Sequence, residues 1–141
     1  MPSAIRSIGR IAAVLVLSLA MAGCNSEWLA SRERAAVEGR AVPGPGYKTD
    51  VLALMRTYLN DPTGVRDAFI SVPALKPLEN TERYVSCLRY SARKDGGQYA
   101  PSKDSLIVYR QGRVDHIVDN AREVCKDAAY EPFPELERLT R

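Results

Sequence analysis

The chain has 141 residues, of which 20 are Lys or Arg and 17 are Asp or Glu, and 45% are hydrophobic. Its formal charge of +3 falls to +1 once residues 1–23 are set aside, because that stretch holds Arg6 and Arg10 and no acid. The balance excludes the basic surface that holds nucleic acid, and the length allows one small domain rather than two.

The first elements in chain order form a tripartite export signal. Arg6 and Arg10 lie in the head, the apolar run Ile11–Ala22 is broken by Ser18, and the small residues Ala22 and Gly23 precede Cys24. This order describes a secretory signal, and the run is shorter than the ~20 apolar residues that cross a bilayer. The segment Leu19-Ala20-Met21-Ala22-Gly23-Cys24 resembles the lipobox of bacterial lipoprotein precursors, with Met21 where that pattern prefers Leu. The resemblance implies a diacylglyceryl group on the Cys24 thiol, cleavage before Cys24 and usually acylation of the new amine. Two or more acyl chains give a stable anchor where one gives reversible binding. Asn25, rather than Asp, follows the cysteine. In the enteric version of the pattern this favours the outer over the inner membrane. The competing reading is an ordinary signal peptide beside a coincidental cysteine. The expected organisation is a signal over 1–23, a lipidated tether over 24–46 and one domain over 47–141.

Lipid on Cys24 leaves two cysteines, Cys87 and Cys125. In an oxidising compartment such a pair forms a disulfide. It would close a loop of 39 residues counting both ends, a constraint of about 4 kcal/mol by chain entropy. Two free buried thiols, or a metal site, are the alternatives. The metal reading is poor, because His116 is the single histidine and no CxxC occurs.

The tether begins with helix-forming residues over 27–40, with Trp28 and Leu29 as its large apolar pair. These two fit either a contact with lipid headgroups or a plain linker. Val42-Pro43-Gly44-Pro45-Gly46 ends any helix. Val51, Leu52, Met55, Tyr58 and Leu59 then make one apolar stripe, predicting a helix over 50–59 capped by Thr49 or Asp50 and stopped by Pro62. Strands are predicted over 65–72, 83–93, 105–109 and 114–118, with Pro73 and Pro77 bracketing a loop. In the second, Val85 and Cys87 alternate with Tyr84, Ser86, Leu88 and Tyr90. Gln111-Gly112 predicts a hairpin between the last two. Asn120 and Glu123 stand at capping-box spacing before a helix with Ala121, Val124, Cys125 and Ala128 on one stripe. Tyr130–Pro134 is too rich in proline for regular structure and reads as an extended tail. The expected fold is a small α+β domain of N-terminal helix, four-stranded mostly antiparallel meander and C-terminal helix, with the helices on one sheet face.

Two stretches carry a second resemblance. Tyr58–Arg66, with Asp61-Pro62-Thr63 at its centre, and Val85–Tyr99, with Cys87 and Gly96-Gly97-Gln98-Tyr99, are similar to segments of small, uncharacterised proteobacterial exported proteins. The resemblance implies a secreted domain of one helix on a β-meander and implies no activity.

Chemistry is sparse. His116 lies between Asp115 and Ile117 in a predicted strand, and reads as a strand histidine rather than a base. Asp115 with Asp119, and Glu131 with Glu135, are pairs of carboxylates of the type used in acid–base work, at a density ordinary for a surface. No phosphate or calcium loop is present. The turn at Gly97, with Tyr99 at its tip and Tyr90 and Tyr109 on neighbouring strands, is a candidate partner contact. The favoured reading is a turn that needs glycine at Gly97, with the tyrosines covering the sheet edge. The functional expectation is a non-enzymatic envelope lipoprotein without cofactor or metal. It would be anchored through Cys24, face the periplasm and bind a protein or cell-wall partner. The alternative is a periplasmic inhibitor of a hydrolase such as lysozyme. An enzyme is the third reading, and turnover lost in His116→Ala would expose it.

Overall fold

The computed structural model describes residue 27, residues 29–34, residue 37 and residues 40–141. The segment read as a lipobox, with Cys24, and Trp28 lie outside the described residues. The chain divides into two units, Met1–Ala36 and Val37–Arg141. The described residues of the first are helical and exposed. Among the described residues, no helix is long and apolar enough to cross a membrane.

The second unit is a six-stranded antiparallel sheet with short helices. Helix α1 spans Tyr47–Tyr58. It begins three residues before Asp50, directly after the Pro-Gly-Pro-Gly run, with Gly46 as N-cap and no side-chain cap bond. The expected Thr49 or Asp50 cap is therefore not used. Val51 and Met55 are fully buried, while Leu52 and Leu59 are partly so. Asp61 then accepts hydrogen bonds from the Thr63 N–H (3.0 Å) and hydroxyl (2.6 Å), a tight Asx turn into the sheet.

The strands are β1 Arg66–Ser71, β2 Ala74–Leu78, β3 Thr81–Ser91, β4 Lys103–Arg110, β5 Arg113–Val118 and β6 Tyr130–Pro132. The order is β5-β4-β3-β1-β6, with β2 also on β3. β3 is the spine, because its alternating residues are buried on both faces. β1 and β2 share one edge of it, β1 along Leu88–Ser91 and β2 along Thr81–Val85. Between them, at Val72-Pro73, the ladder is interrupted, and the Ser71 hydroxyl accepts the Cys87 N–H at 2.9 Å. A bulge in β1, with Asp67 at φ 52°, similarly frees the Ala68 N–H, which the Glu137 carboxylate accepts at 3.0 Å. The Gln111-Gly112 turn closes the β4–β5 hairpin, both residues having positive φ as a type I′ turn requires.

Three expectations are corrected. The sheet has six strands rather than four. The segment read as a proline-bracketed loop is β2, an edge strand in which Pro77 is tolerated, and the segment read as an irregular tail forms edge strand β6 followed by α3, Pro134–Glu137. The helix predicted after Asn120 is a single turn, α2, Arg122–Cys125. Asn120 has φ 57° and caps nothing, so the capping box does not form. Finally, helices cover both faces. Leu88 and Tyr90 of β3 and Ile107 and Tyr109 of β4 pack with α1 and α3 in the larger core. Val85, Cys87, Leu106 and Val108 face the other way and pack with Ala121 and Cys125 of the α2 segment. A strand spine that is apolar on both faces needs a cover on each.

Cys87 and Cys125 are joined in this smaller core, with Sγ–Sγ 2.07 Å and Cα–Cα 5.7 Å. Beside them Asp104 accepts hydrogen bonds from Arg89 Nε (2.7 Å) and the Tyr130 hydroxyl (2.9 Å), and the Arg89 guanidinium lies 4.3 Å from the Tyr130 ring centre. The Arg89 bond, aided by Tyr130 and opposed by burial, holds the Asp104 carboxyl below its ordinary range. Its folded pKa lies below its unfolded value of ~3.9, so the stability it contributes is present above that pH and is lost as pH falls through the folded pKa. Asp104→Asn is expected to lower stability by about 1–2 kcal/mol at pH 7. In urea titrations against pH, the difference from wild type should narrow as pH falls through the folded pKa of Asp104. A difference that stays constant with pH would refute this role.

Candidate functional site

The residues singled out as a contact surface separate into core and turn. Tyr90 and Tyr109 are 0% and 1% exposed. The Tyr109 hydroxyl donates to Ser86 at 3.1 Å, and burial pushes Tyr90 up to about 12. They sit on the larger-core side of β3 and β4, so they offer nothing to a partner. The reason is sheet register, which turns both rings towards α1.

Gly97 and Tyr99 do lie on an exposed connection. Gly96 and Gly97 have φ 86° and 81°, and Arg93 bridges to Tyr99 across the turn. Tyr99 is nevertheless committed within the domain. The Arg66 guanidinium lies 4.0 Å from its ring centre, and its hydroxyl would stand 3.4 Å from a Cβ added at Gly64. Gly64, at φ 71°, is needed for its conformation, and a Cβ there would also press on the Arg93 side chain at 3.2 Å. The stretches Tyr58–Arg66 and Val85–Tyr99 thus pack on each other, Gly64 and Arg66 of the first against Arg93 and Tyr99 of the second.

The carboxylate candidates are likewise engaged. Asp119 accepts from the Tyr58 hydroxyl, from Lys103 at 3.1 Å and from Ser105 at 3.0 Å. Burial opposes its ionisation, and these three bonds together outweigh it and lower its pKa. Glu131 bonds Lys48 at 2.8 Å and Tyr47 at 3.3 Å, tying β6 to the start of α1. Asp115 bonds His116 Nδ1 at 2.8 Å and Arg110 at 3.2 Å. Among the described residues no hydroxyl or thiol is hydrogen-bonded to His116, and no group of His, Cys, Asp and Glu is arranged to hold a metal.

Among the described residues, one concavity was not foreseen from the sequence. Cross-strand pairing of β3 with β4 stops at Val85–Val108, while β3 continues with β2 and β4 with β5. The two hairpins diverge beyond that pair. Between them, on the α2 side, lies an open groove of about 470 Å³. Leu106, Val108 and Val118 line it, as do Arg83, Arg110 and His116. The one available signal was Leu78-Glu79-Asn80-Thr81, a short turn sequence after alternating residues, which marks the first of the two hairpins.

No protein-family model, curated protein or solved structure matches the chain.

On the opposite side, the end of the linker straps the hairpins together. Arg40 bonds Glu82 beside the β2–β3 turn at 2.8 Å, the Val42 carbonyl would touch a Cβ at Gly112 at 3.0 Å, and Pro43 is buried. The segment expected to be free tether up to residue 46 is docked from Arg40 onward.

Proposed function

We propose that this chain is a lipid-anchored envelope protein whose domain is a non-enzymatic binding module held close to the membrane. The observation that carries the reading is the segment Leu19–Cys24, a lipobox directly behind a positively headed apolar run. Two features support it. The remaining cysteines are the two that the fold brings to bonding distance, as suits an oxidising compartment. The titratable groups nearest to a catalytic pattern are occupied in ion pairs and hydrogen bonds.

The test is the intact mass of the protein purified from membranes of a bacterial host. The expected mass is that of residues 24–141 plus a diacylglyceryl group and an amide-linked acyl chain, less two protons for the Cys87–Cys125 bond. Cys24→Ala is expected to move the protein out of the membrane fraction. A mature chain with unmodified Cys24 overturns the reading. Crosslinking in membranes should recover a specific envelope partner, and recovery of lipid alone would count against a protein or cell-wall ligand.

A further inference from the structure

The groove between the diverging hairpins is chemically two-ended. Its floor is apolar, with Leu106 and Val108 beneath and Val118, 42% exposed, at the side. Arg83 and Arg110 each lie two residues beyond the last cross-strand pair, Val85–Val108, so both take the face of that pair. Two guanidinium groups therefore stand at the hairpin-tip end of one open groove, together with His116. Asp115 meets Arg110 and His116 there, Glu79 is the acid of the β2–β3 turn, and Asp119 is bonded to Tyr58, Lys103 and Ser105. Arg83 has neither a hydrogen bond nor an ion pair among the described residues. The unpaired Arg83 guanidinium at the head of an apolar trough, which Arg110 lines from the facing hairpin while held by Asp115, fits an acidic headgroup with hydrocarbon behind it.

The path of the chain says where such a ligand would come from. The linker enters the domain across both hairpin tips, through Arg40 on Glu82 and Val42 on Gly112. This is the end that carries Arg83 and Arg110. Arg40 is 16 residues beyond Cys24. A lipid-anchored Cys24 would therefore keep this end of the groove within at most about 55 Å of the bilayer.

We propose that the groove binds an anionic phospholipid of the membrane that carries the anchor, and that this orients the domain on the bilayer. Phosphate pairs with Arg83 and Arg110, and the glycerol and upper acyl chain lie along Val108 and Val118. The source of the ligand rests on the anchor reading, whereas the chemistry of the groove does not.

The test uses Val37–Arg141, the unit that contains both cores and the disulfide, without any lipid. It is co-sedimented with vesicles of phosphatidylglycerol and phosphatidylethanolamine, and separately with phosphatidylcholine vesicles. Binding is expected to the first kind alone and to weaken as salt rises. Arg83→Gln with Arg110→Gln is expected to weaken it about 30-fold. Arg138→Gln with Arg141→Gln, outside the groove, should leave it unchanged, and urea midpoints confirm that both pairs are folded. Equal binding to the two vesicle kinds, equal loss from the two variant pairs, or vesicles ignored while a second copy or a soluble peptide occupies the groove would each overturn the proposal. Lipid missing from Cys24 with vesicle binding intact would sink the anchor and leave the groove standing.

Discussion

Replacing Cys87 and Cys125 together by Ala is expected to lower the unfolding free energy by about 4 kcal/mol, as for a cross-link across a loop of this length. The bond spans a sequence separation of 38 and joins the spine strand β3 to α2. α2 is one turn, far below the length at which a helix holds by itself. Apart from the bond it is kept on the sheet by Ala121 and Val124 and by Lys76, whose ammonium donates to the Val124 carbonyl at 2.9 Å. Urea unfolding of the oxidised wild type, the reduced wild type and the double variant measures the effect. The reduced protein and the variant should share one midpoint, well below that of the oxidised protein. Amide exchange should rise first over 121–128, because that segment loses its strongest tie. Identical midpoints with and without reductant would show that the bond contributes nothing.

Phe133→Ala is expected to cost about 3–5 kcal/mol, while Phe69→Ala costs about 1 kcal/mol or less. These are the chain's two phenylalanines. Phe133 is fully buried in the larger core, and its N–H donates to the Ala68 carbonyl at 2.8 Å, so one residue holds both the side chain and the backbone of the C-terminal segment. Phe69 is 36% exposed on the opposite face of β1. A loss of 3–5 kcal/mol is a large fraction of what a small domain has. Thermal or urea unfolding of the two variants side by side decides the matter, and equal losses would contradict the assignment of faces.

Composition gives no way to rank these two rings. Phe69 lies in a good strand pattern and Phe133 between two prolines, so local pattern favours the wrong one as core. The inversion follows from contacts distant in sequence. Phe133 is brought to the larger core because β6 pairs with β1, as in Ile70 with Glu131, and no local period encodes that pairing. Tyr90 and Tyr109 teach the same lesson. The alternation of Tyr90 with Cys87 was readable, but which side of the sheet would be covered was not.

What local chemistry dictates, the sequence by itself determined. The α1 stripe of Val51 and Met55, the two-faced alternation of β3, the Gln111-Gly112 hairpin and the turn glycines at 96 and 97 all depend on neighbours a few residues apart. The meeting of Cys87 with Cys125 was foreseen by counting cysteines, on the expectation that Cys24 carries lipid. Only the tertiary structure decided the rest. Whether Pro77 sits in a strand, how α2 and α1 divide the faces, and how the linker straps two hairpin tips are set by packing between distant segments. The groove belongs to that second group. It exists because β3 leaves β4 after Val85–Val108, and no stretch of sequence records where two strands part.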